Sequence, residues 1–208
     1  MKKAVAIVIL SLFCFLSCEK GTEPVEFKSS YFPNDVGNWW QYQVYDSLSQ
    51  SSSFVTISIH SDTIMSSGDS AAVWKYASST DTTTKYVVVS SNSVRFYTGI
   101  ALETLESYYV IPLIVGDSWG LQVEGTSAYD TLMVVNQTAI ELPVGRFEST
   151  FVIESERMTP CLHCSQYSTF WFTPKIGFVQ FDYNVGVLGL ATDLNETWQL
   201  VDFRRPIP

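Results

Sequence analysis

Val55-Thr56-Ile57-Ser58-Ile59-His60 sets an apolar side chain beside a polar one at every step, and that alternation decides the fold. Successive side chains of an extended chain point to opposite faces, so a period of two describes a strand with one dry face and one wet face. The same pattern continues in both directions. Phe147, Phe151 and Ile153 alternate with Glu148, Thr150, Val152, Glu154 and Glu156. Gly177, Val179, Phe181 and Tyr183 are expected on one face, with Phe178, Gln180 and Asp182 on the other. Further strands are predicted over 39–46, 71–77, 85–90, 94–98, 108–114, 131–141, 167–173 and 196–203.

Runs of Ser, Thr, Asp and Gly separate these segments, as at 47–53, 66–70 and 78–84, and such side chains favour turns by bonding to their own backbone. Helical periodicity is not evident after the N-terminal region. Short strands with hairpin-length connections imply an all-β, single-domain antiparallel meander. The chain holds 6 Trp, 11 Tyr and 13 Phe. Burying that many rings requires a curved sheet, either a partial barrel or a sandwich.

An internal repeat sharpens the picture. Residues 33–44 align without gaps on residues 112–123 with the pattern Pro-x-x-Val-Gly-[Asn/Asp]-x-Trp-x-x-Gln-Val. Each copy reads as a turn that launches a strand, because proline fixes φ and glycine permits a positive φ. Trp40 shares a face with Tyr42 and Val44, and Trp119 with Leu121 and Val123. Two equivalent core anchors are the expected reading; an aromatic ligand platform is the alternative. Pro143-Val144-Gly145 and Pro174-Lys175-Ile176-Gly177 look like further uses of the same turn.

The N-terminus is read as an export signal. Met1-Lys2-Lys3 is basic and Ala4 to Leu16 is apolar or small, a run too short to span a bilayer about 30 Å thick. Phe15-Leu16-Ser17-Cys18 resembles the lipobox of bacterial lipoproteins, which implies lipid attachment at Cys18. The chain is expected to divide into a signal peptide (1–17), a lipidated tether (18–30), one all-β domain (31–205) and a C-terminal tail (206–208). Without Lys2 and Lys3, 10 of the 12 basic residues remain against 21 acidic ones. That excess argues against nucleic acid and anionic head groups as partners.

Tyr31-Phe32-Pro33 through Gly37 and Trp40, Val115-Gly116-Asp117-Ser118-Trp119, Leu142-Pro143-Val144-Gly145-Arg146-Phe147 and Trp171 to Val179 together resemble a broad group of uncharacterised bacterial envelope lipoproteins. The resemblance implies a curved antiparallel sheet on a lipid tether and transfers no catalytic residues.

Chemistry-bearing residues are few. Cys161 and Cys164, spaced C-x-x-C, are expected to form a local disulfide in an oxidising envelope. A thioredoxin-type site needs that motif at a helix N-terminus, and no helix is predicted there. Zinc would draw on Cys161, Cys164 and His60, too few ligands for a structural site. His163 precedes the second cysteine, which excludes haem attachment. Glu154 and Glu156 share a strand face; glycoside hydrolysis uses such pairs, but a charged outer face is the simpler reading. No cofactor or metal is expected.

These observations favour a noncatalytic binding or assembly role over thiol-disulfide exchange or hydrolysis. An apolar, carbohydrate or protein ligand is expected, with outer-membrane anchorage through Cys18. The oligomeric state is left open.

Overall fold

The structure, a computed structural model, describes residues 31–101, 103–122, 129–158, 164–187 and 194–204. The signal peptide, the tether with Cys18, the tail, Cys161 and His163 lie outside them.

Twelve strands occur in chain order: β1 (Trp39–Asp46), β2 (Ser51–Ile64), β3 (Ser70–Ala77), β4 (Thr82–Val89), β5 (Ser93–Tyr97), β6 (Leu105–Val110), β7 (Ser118–Gln122), β8 (Tyr129–Leu142), β9 (Gly145–Met158), β10 (Cys164–Thr173), β11 (Gly177–Val187) and β12 (Leu194–Arg204). They form one antiparallel sheet in the order β6-β5-β4-β3-β2-β1-β12-β11-β10-β9-β8-β7. The sheet curls into a nearly closed barrel. The all-β, single-domain expectation therefore holds, and the barrel is the form it takes. Predicted strand 108–114 is displaced: β6 ends at Val110, two residues before Pro112, which has no N–H to give a ladder.

The sheet consists of two six-stranded meanders, β1–β6 and β7–β12, and the sequence repeat opens each of them. The two turns bond alike. Gly37 N–H donates to Ile59 C=O and Ile59 N–H to Asn38 C=O; Gly116 N–H donates to Val134 C=O and Val134 N–H to Asp117 C=O. Both glycines adopt the positive φ that the motif requires, 93° and 96°. The turns at 143–144 and 174–176 are different devices, tight links between neighbouring strands β8–β9 and β10–β11.

The halves join asymmetrically. β1 pairs with β12 from Trp39↔Arg204 to Asp46↔Glu196. The counterpart joint lies between β6 and β7, where no backbone ladder forms among the described residues. There Trp119 Nε1 donates to Tyr108 C=O at 2.7 Å. Trp40 is buried, whereas Trp119 is only partly so, and the two anchors are equivalent in position but not in burial.

The dry face of each strand points into the barrel. Val55, Ile57 and Ile59 are buried as the alternation predicts. β11 departs from it: Trp171 faces Gln180 and Phe172 faces Phe178, leaving Val179 as an extra residue. This bulge returns Phe178 to the same side as Phe181 and Tyr183, against the expectation that they oppose each other. One end of the barrel, here the floor, is plugged by the segment before β1. Phe32 stacks on Phe172 at 5.8 Å, and Asn34 Oδ1 accepts from Trp74 Nε1 at 2.8 Å. A smaller cluster of Met65, Ala71, Val88 and Tyr97 lies apart from this core.

Candidate functional site

Above the floor the barrel is not filled. β1, β3, β11 and β12 place Trp40, Tyr42, Trp74, Phe181, Tyr183 and Trp198 around a chamber of about 300 Å³. The rings support one another: Trp40 stacks on Trp74 at 5.2 Å, Phe181 on Tyr183 at 6.0 Å, and Trp198 meets Tyr183 edge-on at 6.1 Å. Such contacts hold large side chains without further filling atoms. The polar ends are tied down as well. Trp40 Nε1 donates to Ile176 C=O and Tyr42 OH to Phe178 C=O, each at 2.7 Å. Gly177, at φ 103°, brings its backbone against Trp40, and a Cβ there would lie 3.3 Å from Pro33 Cγ.

The chamber opens at the end opposite the floor, where Ser78, Asp81 and Thr83 of the β3–β4 hairpin line it and are exposed. Burial pushes the phenols of Tyr42, Tyr76, Tyr109 and Tyr183 well above their usual value, so all four keep their protons into alkali that ionises a free tyrosine.

A second, polar chamber of about 230 Å³ adjoins the first, and Lys85, Ser107, Tyr109 and Tyr183 line both. Two ion pairs dominate it. Arg157 grips Asp130 through Nε at 2.6 Å and Nη2 at 2.7 Å. Lys85 Nζ meets Glu106 Oε1 at 2.7 Å and lies 5.0 Å from the centre of the Tyr76 ring. Glu106 reaches the chamber through a bulge: Phe96 faces Ser107 and Tyr97 faces Leu105, so Glu106 is the extra residue.

The sequence-derived candidates lie elsewhere. His60 is the extra residue of a bulge between Ile59 and Ser61 and is exposed. Glu154 and Glu156 are exposed on β9, and Tyr167 OH donates to Glu156 at 3.1 Å. Cys164 opens β10 opposite Val187, while Cys161 is outside the described residues. Among the described residues no three His, Cys, Asp or Glu side chains gather as metal ligands. Trp40 answers to both of its readings, since it is a core anchor whose face also lines the chamber. Lys85, Glu106, Asp130 and Arg157 escaped the sequence reading.

No family model and no curated protein matches the chain. Among solved structures it is similar to a protein from Bacteroides fragilis described as exported and as having a YmcC-like fold. That likeness has a TM-score of 0.50 at 16% identity and covers 84% of this chain and 99% of that one. A Parabacteroides distasonis protein described as a lipoprotein gives a TM-score of 0.49 at 13% identity, over 84% and 98% of the two chains. The first likeness places the present barrel in the same fold.

Proposed function

We propose that this chain is a lipid-anchored protein of the bacterial envelope whose barrel binds a small, largely apolar ligand without transforming it. The observation that carries the reading is the aromatic chamber, about 300 Å³ and open at one end. Its size and its apolar walls with a few placed donors are those of a small-molecule site. The charged groups of the adjoining chamber are engaged with each other, which suits holding a ligand more than moving protons. Envelope placement rests on the lipobox-like Leu16-Ser17-Cys18 and agrees with the exported character ascribed to the Bacteroides protein of like fold. Glu19 is not the aspartate that retains some lipoproteins at the inner membrane, which favours the outer membrane.

Ser107 lines both chambers. Ser107→Phe is expected to fill the space where they meet and to abolish uptake of the neutral dye N-phenyl-1-naphthylamine, while thermal melting stays cooperative. Uptake is read as energy transfer from Trp40, Trp74 and Trp198. Undiminished transfer in a folded variant would remove the chamber as the binding site. Anchorage is tested separately: Cys18→Ser should move the protein from the membrane pellet to the soluble fraction. Continued pelleting after a high-salt wash would count against the lipid.

A further inference from the structure

The polar chamber carries information about what the aromatic one accepts. Both of its cations are already taken, Arg157 by Asp130 and Lys85 by Glu106. A carboxylate, sulfonate or phosphate arriving there would find no unpaired positive charge. It would instead face Glu106 and Asp130, with Asp81 at the mouth of the aromatic chamber, and like charges at close range disfavour binding. A cationic head fares little better at Glu106, because the Lys85 ammonium already lies 2.7 Å from that carboxylate.

One acceptor is left over. Glu106 Oε2 is enclosed and has no hydrogen-bonding partner among the described residues. An enclosed carboxylate oxygen without a donor costs free energy, and a hydroxyl or N–H placed against it recovers that cost. The bulge that turns Glu106 inward sets its carboxylate in the wall of the polar chamber, beside Lys85, which lines both chambers. A ligand that puts an apolar body among the rings extends its head toward this wall, and a donor in that head reaches Oε2 once the side chains covering the oxygen shift.

Building on the carrier reading above, we propose that the two chambers together select an uncharged amphiphile with a hydrogen-bond donor in its head group, and that the paired cations exclude acids. Fatty acids and other organic anions are thereby turned away, and alcohols, uncharged amines or amides of similar bulk are admitted.

Two dyes with the same ring skeleton test this on the full mature chain. N-phenyl-1-naphthylamine is neutral and carries an N–H; 1-anilinonaphthalene-8-sulfonate adds one negative charge. The neutral dye is expected to bind at least about tenfold more tightly. Glu106→Gln leaves Lys85 unpaired, and it should strengthen sulfonate binding by about tenfold while weakening the neutral dye. Lys85→Met with Glu106→Gln should cancel the gain, and melting curves report whether each variant is folded. Decan-1-ol should displace the neutral dye and decanoate should not. Equal binding of both dyes by the wild type, or no gain for the sulfonate in folded Glu106→Gln, would overturn the charge selection and leave the carrier reading standing. Failure of both dyes to bind the wild type would overturn both.

Discussion

Replacing Trp40 with alanine is expected to cost the domain about 3–5 kcal/mol, whereas Trp119→Ala should cost only about 1–2 kcal/mol. The two residues occupy the same place in the repeat, so propensity, turn geometry and strand position are matched. What differs is the surroundings. Trp40 is 2% exposed, stacks on Trp74 and bonds to the β10–β11 turn that Gly177 folds against it. Its loss removes a floor stone and leaves a void that the barrel cannot close. Trp119 is half-buried and bonds across a joint with no ladder among the described residues, where relaxation is easier. Urea titrations of both variants at one pH supply the comparison. Equal midpoints would mean that burial does not distinguish the two copies.

Stability should also fall steeply in alkali. A free tyrosine ionises near 10.0, but burial holds Tyr42 and Tyr109 in their neutral form far above that pH. Between the two values the folded chain keeps protons that the unfolded chain has released, so stability declines as pH rises. The full contribution is present below pH 10 and is withdrawn above it. Each phenol removes about 1.4 kcal/mol per pH unit, so Tyr42 and Tyr109 alone withdraw about 3 kcal/mol by pH 11. Tyr76 and Tyr183 act in the same direction. Against a total of about 5–15 kcal/mol this is a large share. Phenolate absorbance beyond that of the exposed tyrosines, Tyr45, Tyr129 and Tyr167 among them, should therefore appear together with loss of near-ultraviolet circular dichroism. Gradual ionisation of all the phenols while the barrel stays folded would contradict the burial of these hydroxyls.

Much of the fold was legible because strand alternation and turn chemistry are local. Val55, Ile57 and Ile59 declared their face, and the Pro-x-x-Val-Gly unit located the start of each half. The faces of β11 were misjudged because the extra residue at Val179 has no signature of its own; only the register against Phe172 and Trp171 reveals it. Half of the polar chamber could have been found. Counting outward from the Pro143-Val144 turn brings Asp130 opposite Arg157, since the irregularities in between offset one another. The other half could not. Lys85 and Glu106 lie on strands separated by β5, and the bulge that joins them depends on the whole sheet. The chamber itself is equally hidden, because rings that fill a core and rings that surround a space have the same sequence.

The plug before β1 sets the end at which the N-terminal chain enters the barrel. Tyr31 C=O accepts from Lys175 N–H and Tyr31 OH from Leu113 N–H, both at the floor. The mouth is at the far end, beside the β3–β4 hairpin. Residues 19–30, at no more than about 3.5 Å each, reach about as far as one of the long strands is tall. A lipid on Cys18 would thus attach to the chain on the floor side, and a tether of that reach leaves the tilt of the barrel unfixed. The end that carries the membrane attachment and the end that opens to solvent are therefore different ends of the barrel, should the proposed lipid be present.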